Sequence, residues 1–343
     1  MSISATISGG VSSVTNTAST LAGAVLRNTS LVATTKETTA LVIGDDVLAG
    51  NKTLGLVNDS NKALVLGSTT SATLLGGSGN NNVLVANDAA GTVLQAGTGA
   101  GQTLIGGAGG QLLGTSAAGN GSATIYGGTG NDTVVAAAGN NFLTGGDGNN
   151  TLVVMGGTNR VVASGANDTV IAAGGNSTIT SGSGNAQIFA MTGSNYVVGG
   201  TGNTTIGAGG GNNTLFGGSG NAMIAGGGGN DLLVGNTSKT GTAVLGGFAG
   251  DDTLIGGVGN DTLFGGEGND VFVFSTVFGG GKHVIGDFKA GTDIIAVQGY
   301  GLTAAQVAAK VTVTGGSSVL SLSDGTQITV AGVTNLKASN FVV

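Results

Sequence analysis

Gly256-Gly257-Val258-Gly259-Asn260-Asp261-Thr262-Leu263-Phe264 runs without a gap into Gly265-Gly266-Glu267-Gly268-Asn269-Asp270-Val271-Phe272-Val273. Both nonapeptides read G-G-x-G-x-D-x-U-x, with U a large apolar residue; 127–135 and 226–234 repeat the pattern, with Asp132 and Asp231 at the sixth place. Read outward, the apolar eighth place becomes a row: Leu104, Leu113, Ile125, Val134, Leu143, Leu152, Val161, Val170, Ile179, Ile188, Val197, Ile206, Leu215, Ile224, Leu233, Leu245, Leu254, Leu263 and Phe272. The step is nine, broken only by three extra residues before Ile125 and again before Leu245. Upstream the step lengthens to ten, through Leu54, Leu64, Leu74, Leu84, Leu94 and Leu104. A unit this short cannot bury its own apolar side chain, so neighbours must stack and share one core. The period predicts an all-β solenoid.

Composition agrees. Seventy-two of 343 residues are Gly, and Pro, Cys and Trp are absent, far from globular usage. A hydrophobic fraction of 40% and a mean hydropathy of +0.34 argue against disorder. Collagen would need Gly at every third place with abundant Pro. No apolar run is long enough for a transmembrane helix. Met1 is not followed by a basic and then an apolar stretch, so no ordinary secretory signal peptide is expected. The absence of Cys fits the cytosol and equally an extracellular protein cross-linked by other means. A net charge of −7 disfavours nucleic acid and anionic membrane as partners. The acids cluster: Asp251, Asp252, Asp261, Glu267, Asp270, Asp287 and Asp293 share a short stretch with only Lys282 and Lys289 as counter-charges. Carboxylates gathered in this way await a cation.

The four matching nonapeptides resemble the RTX family of calcium-binding secreted proteins, and the resemblance implies a right-handed parallel β-roll built from nine- and ten-residue repeats. Positions seven to nine would form a short strand whose central side chain points inward. Positions one to six would form the turn, where Gly permits positive φ and leaves carbonyls uncovered for a hard cation wanting six to eight oxygens. Two nonapeptides make a coil, so Asp231, Asp252 and Asp270 fall on one edge, Asp261 on the other, and Asp132 and Asp168 share an edge with Asn150 between them. Calcium is the cofactor implied, with Asp231, Asp252, Asp261 and Asp270 as ligands, Asp287 and Asp293 supplying the last ions, and Asp132 and Asp168 forming a weaker site. Where the sixth place holds Asn or Gln, the side chains are expected to hydrogen-bond along the stack.

This reading divides the chain into four parts: a Ser/Thr-rich segment at 1–40 serving as cap or assembly arm, a ten-residue-repeat solenoid at 41–103, the nonapeptide roll at 104–274, and a small C-terminal capping and secretion segment at 275–343. In the last part Thr303 is expected to cap a helix over 304–310, and strands are expected at 311–313, 319–322 and 328–330. The ending Asn335-Leu336-Lys337-Ala338-Ser339-Asn340-Phe341-Val342-Val343 is similar to the uncleaved signal of type I secretion substrates. The resemblance therefore implies an extracellular or cell-surface protein exported by a type I system.

Catalysis is not expected. There is one His, no Cys, and no H-E-x-x-H or G-x-S-x-G arrangement. The outward places suggest another role, since Tyr126, Phe142, Val162, Tyr196, Val198, Phe216, Leu232, Val234 and Ile255 would line one sheet face. Between residues 101 and 245 the charges are only Asp132, Asp147, Arg160, Asp168, Asp231 and Lys239. Apolar rows with so little charge point to a non-enzymatic structural protein that self-assembles as a filament, biofilm matrix or surface layer. Its principal partner would be itself, with a cell surface or matrix polysaccharide as a further one. The alternative is a monomeric surface-binding module, either an adhesin or an ice-binding RTX roll.

Overall fold

A computed structural model describes the strands Val25–Arg27, Ser30–Ala33, Ala40–Ile43 and Thr53–Leu56, then residues 60–66, 70–116 and 121–343. Most of the proposed arm at 1–40, and the insertion ahead of Ile125, lie outside the described residues. The chain is a parallel β-solenoid of about 12 turns, divided into two compact units, Met1–Ile171 and Ala172–Val343. No helix among the described residues is long and apolar enough to cross a membrane.

In the first unit, each coil contributes one short strand to each of two parallel sheets. One register runs Leu31, Leu54, Leu74, Leu94, Leu113, Val134 and Leu152. The other runs Leu41, Leu64, Leu84, Leu104, Ile125, Leu143 and Val161. The apolar row of the sequence is thus the stack itself, and it reaches back to Leu31 and Leu41. The longer ten-residue step is absorbed in the turns, where Asn61 (φ 59°), Asn81 (φ 55°) and Gly101 (φ 70°) take the left-handed conformation. Asn tolerates that region better than most side chains, which explains its place at those corners.

The second unit continues the pattern on its own core, with Ile179, Val197, Leu215, Leu233, Leu254 and Phe272 fully buried in one column. The row does not end at Phe272. Leu263 is followed in register by Ile285 and Val330, and Phe272 by Ile295 and Phe341. The last residues of the chain therefore close the roll: Phe341–Val342 adds a parallel strand to Ile294–Gln298. On the other sheet Gln327–Val330 stacks on Lys282–Ile285 and turns back through Ser317–Ser321 and Val311–Thr314 as an antiparallel meander. The helix Ala304–Ala309 begins with the expected Thr303 cap, reciprocated by Gln306 in a capping box. One outward assignment fails. Val234 is only 5% exposed, because it is sandwiched between Phe216 and Ile255 in the same row.

Adjacent residues test the division between core and face. Leu233 is fully buried, whereas Leu232 on the same strand is half-buried and faces outward. Leu233→Ala should cost about 2–5 kcal/mol of unfolding free energy and Leu232→Ala clearly less, as read from urea denaturation in excess calcium.

Candidate metal centre

The sixth place of each repeat sits at the end of a turn, just before its strand, and its side chain folds inward. Every Asp or Asn there reaches the backbone of the preceding coil. Asn195 Oδ1 accepts from Ser177 N, Asn213 Oδ1 from Asn195 N, Asp231 Oδ1 from Asn213 N, Asp252 Oδ1 from Asp231 N, and Asp270 Oδ1 from Asp252 N, over 2.6–3.0 Å. Asp293 ends this column by accepting from Asp270 N at 3.3 Å. The first unit holds the equivalent series Gln111 N to Asp132 Oδ1, Asp132 N to Asn150 Oδ1 and Asn150 N to Asp168 Oδ1.

The second polar atom of each side chain separates Asn from Asp. Asn Nδ2 turns toward its own turn and donates to the carbonyls there: Asn141 to Ala138 and Gly139, Asn159 to Gly156, Asn195 to Gly193, Asn213 to Gly211. Asp presents an oxygen to the same place. Asp132, Asp231, Asp252, Asp261 and Asp270 each carry a buried Oδ2 with no hydrogen-bond partner. A buried carboxylate oxygen left in that state costs several kcal/mol unless a cation or donor meets it.

The turn glycines show what these oxygens face. A Cβ added to Gly247 would fall 2.1 Å from Asp252 Oδ2 and 2.5 Å from the carbonyl oxygen of Gly265 on the next coil. At Gly226 the corresponding atoms are Asp231 Oδ2, at 2.4 Å, and Gly247 O, at 3.0 Å. A carboxylate oxygen and a carbonyl oxygen thus converge on the space that the missing side chain leaves open. This donor set, all oxygen and partly backbone, suits calcium. Among the described residues no three His, Cys, Asp or Glu side chains converge, so such a site would draw one carboxylate per turn and complete its shell with carbonyls.

Desolvation by burial pushes the Asp252 carboxyl up to about 6, against the hydrogen bond from Asp231 N and aided by the charges of Asp231, Asp270 and Asp251. Burial likewise raises Asp132 to about 6, and it raises Asp231 and Asp270.

Three candidates from the sequence are placed differently. Asp168 has both oxygens engaged, by Asn150 N and by Gly165 N at 2.7 Å. Asp287 accepts from Gly265 N and Gly266 N at 2.9 Å each, beside Lys289 Nζ on the Gly266 carbonyl. Asp293 accepts from Asp270 N and from Lys289 N. These carboxylates hold backbone donors that their sequence context did not announce. Asp261 lies on the opposite edge from the Asp231–Asp252–Asp270 column, 3.1 Å from the Nδ1 of a buried His283.

The family model for the RTX calcium-binding nonapeptide repeat matches residues 118–152, 154–188, 189–224, 207–237 and 246–275. Residues 118–275 are an array of RTX repeats. No curated protein matches the chain.

Two outcomes follow from the contrast between Asn and Asp. Asp252→Asn should fold with less calcium than the parent, because the amide supplies its own donor, whereas Asp252→Ala should leave the neighbouring Asp231 N without its acceptor; melting with and without a chelator reads the difference. The parent itself should respond to pH. The folded-state carboxyl near 6 lies above the ordinary value, so the metal-free fold gains stability at low pH and loses it as pH rises through about 6. Saturating calcium, which binds the ionised form, should flatten or reverse that decline in thermal melts.

Proposed function

We propose that the chain is a secreted, non-enzymatic structural protein that folds with calcium and self-assembles outside the cell as a filament, biofilm matrix or surface layer. Calcium would sit chiefly with Asp231, Asp252 and Asp270, with Asp132 forming a separate site in the first unit. Asp287, Asp293 and Asp168 would help to close neighbouring turns. Extracellular calcium modules work at dissociation constants of about 10⁻⁴–10⁻³ M, so the roll would complete itself only after export. Export through a type I system would use the C-terminal segment 275–343, which doubles as the cap of the roll.

The observation that carries the assembly reading is the outer face of the carboxylate-bearing coils. Met223, Val244, Phe248 and Phe264 are exposed there, around a groove of about 900 Å³ whose lining is largely apolar. Phe248 is 59% exposed and stands in register between Gly227 and Gly266, at a place where the repeat asks for glycine. It holds a left-handed φ of 78°. A non-glycine residue in that region costs on the order of 1–3 kcal/mol, and such strain persists at sites of function. Each unit also carries an outward aromatic pair: Tyr126 with Phe142 at 6.0 Å, joined by the Arg160 guanidinium over the Phe142 ring, and Tyr196 with Phe216 at 5.6 Å. Exposed apolar surfaces of this kind, with charge confined in the groove to Glu267, Asp287 and Lys289 at its lining, favour association with another copy. A cell surface or matrix polysaccharide is the further partner in this reading.

Light scattering and electron microscopy of the full chain in millimolar calcium test the proposal. Ordered polymer is expected, and it should weaken in Phe248→Gly and Tyr196→Lys while the circular dichroism of the roll is kept. A persistent monomer at high concentration would overturn self-assembly in favour of a monomeric surface-binding module, an adhesin or ice-binding roll.

A further inference from the structure

On the edge opposite the Asp231–Asp252–Asp270 column, the sixth place reads Ala243, Asp261, His283 in consecutive coils. The register shows it: Val244 pairs with Thr262, and Thr262 with Val284. Residues 278–286 are therefore a disguised repeat, with Gly281 at φ 98° where Gly268 has 129° in the repeat before it. In this repeat an imidazole replaces the carboxylate.

Asp261 and His283 are buried, at 2% and 1% exposure. His283 Nε2 lies 3.1 Å from the Gly280 carbonyl, which can only accept, so Nε2 donates there and Nδ1 is the nitrogen turned toward Asp261. That nitrogen is 3.1 Å from Asp261 Oδ2, and neither atom has a hydrogen-bond partner. A buried carboxylate oxygen and an imidazole nitrogen at this distance need something positive between them, either a proton or a metal ion. The carboxylate is held from behind by Ala243 N at 2.7 Å and by Asn236 Nδ2 at 3.4 Å, both on Oδ1. Asn236 is itself fully buried, and its Oδ1 is a third polar atom without a partner. It stands in register between Gly218 and Gly257, a place that neighbouring coils give to glycine.

The geometry points to a second kind of metal site, in which Asp261 and His283 hold a zinc-class divalent ion rather than calcium and Asn236 Nδ2 positions the carboxylate from behind. The ligand chemistry selects it: imidazole suits borderline transition ions, while calcium prefers an all-oxygen shell. Spacing agrees, since nitrogen and oxygen ligands at about 2.0–2.2 Å from a tetrahedral zinc stand roughly 3.3–3.5 Å apart, close to the spacing found here. The ion would join two successive coils on the edge where stacked carboxylates are absent.

Because the chain contains a single histidine, the test is clean when the protein carries no histidine tag. The full chain is saturated with calcium, titrated with Zn²⁺ by calorimetry, dialysed and assayed for bound metal. A single zinc per chain should survive excess calcium. His283→Gln should weaken it by at least the roughly 10–100-fold that even an outer partner of a metal ligand is worth. Asp261→Asn serves as the second variant should His283→Gln fold poorly, and Co²⁺ absorption bands that change in either variant report coordination at this pair. Zinc that is displaced by calcium, fails to bind, or binds equally well to His283→Gln and Asp261→Asn overturns the assignment. The Asp261–His283 contact would then be a buried ion pair. None of these outcomes bears on calcium at Asp231, Asp252 and Asp270, which circular dichroism against calcium reads separately.

Discussion

The structure depends on satisfying the turn carbonyls. A parallel solenoid pairs its strands with the coils on either side, but each turn leaves carbonyls outside the strand ladders, turned toward the sixth-place side chain. Something positive must meet them. At Asn195 and Asn213 a side-chain amide does so from the sixth place, donating to the carbonyls of Gly193 and Gly211. Replacing the amide by a carboxylate keeps the shape and the Oδ1 bond to the previous coil but inverts the remaining atom from donor to acceptor. The same site changes from self-sufficient to cation-requiring through one isosteric exchange.

This exchange explains why the glycines are where they are. The first glycines of the carboxylate-bearing repeats, Gly226, Gly247 and Gly265, are needed less for their φ than for the absence of a side chain, because the sixth residue folds back over them. At Gly265 a Cβ would sit 2.2 Å from Asp270 Oδ2. The second carboxylate oxygen of Asp231, Asp252 and Asp270 takes up the space that Gly226, Gly247 and Gly265 leave open, so there the pair G…D at i and i+5 is one structural unit; where the first place holds Val154 or Ala163, Asn159 and Asp168 still reach the preceding coil through Oδ1. The apolar eighth residue then follows two places later, on the inward side of the strand.

The period made the stack, its register and the assignment of Asp residues to edges legible in the sequence, because a side chain's column depends only on counting. What escaped counting is local. Asp168 shares the sixth place with Asp252, but its repeat has Ala163 where the other has Gly247, and Gly165 N turns onto its second oxygen, a hydrogen bond that no spacing rule marks. His283 was passed over because its repeat has lost both the Asp and the first Gly, leaving Phe278-Gly279-Gly280-Gly281-Lys282-His283. The apolar row offered a signal, since Ile285 falls where an eighth place belongs, but the changed step from Leu263 hid it. The final strand escaped for a similar reason: Phe341 stacks on Ile295 across a long excursion that has no period at all, whereas the strands over 311–314, 317–321 and 327–330 were legible as apolar runs. Val234 shows the limit of alternation, because an outward residue between Phe216 and Ile255 is buried by its own row.

Linear stacking also governs how an ion acts at a distance. Each sixth-place oxygen accepts from the coil before it, so Asp252 is bonded by Asp231 N while its own N–H is bonded to Asp270. A cation that fixes one carboxylate therefore fixes the backbone of the preceding coil, and the ordered coil presents the next acceptor in place. The array behaves as a one-dimensional chain of nearest-neighbour terms, in which one defect weakens the two interfaces around it and little else. A ladder of carboxylates raises this coupling because the charges of Asp231 and Asp270 also oppose ionisation of Asp252. Binding at one turn removes part of the repulsion felt at the next. In the proposed calcium-binding role, the carboxylate column would be the cooperative segment of the roll, and the Asn residues preceding it, self-satisfied and uncharged, would supply a template already formed when the ion arrives.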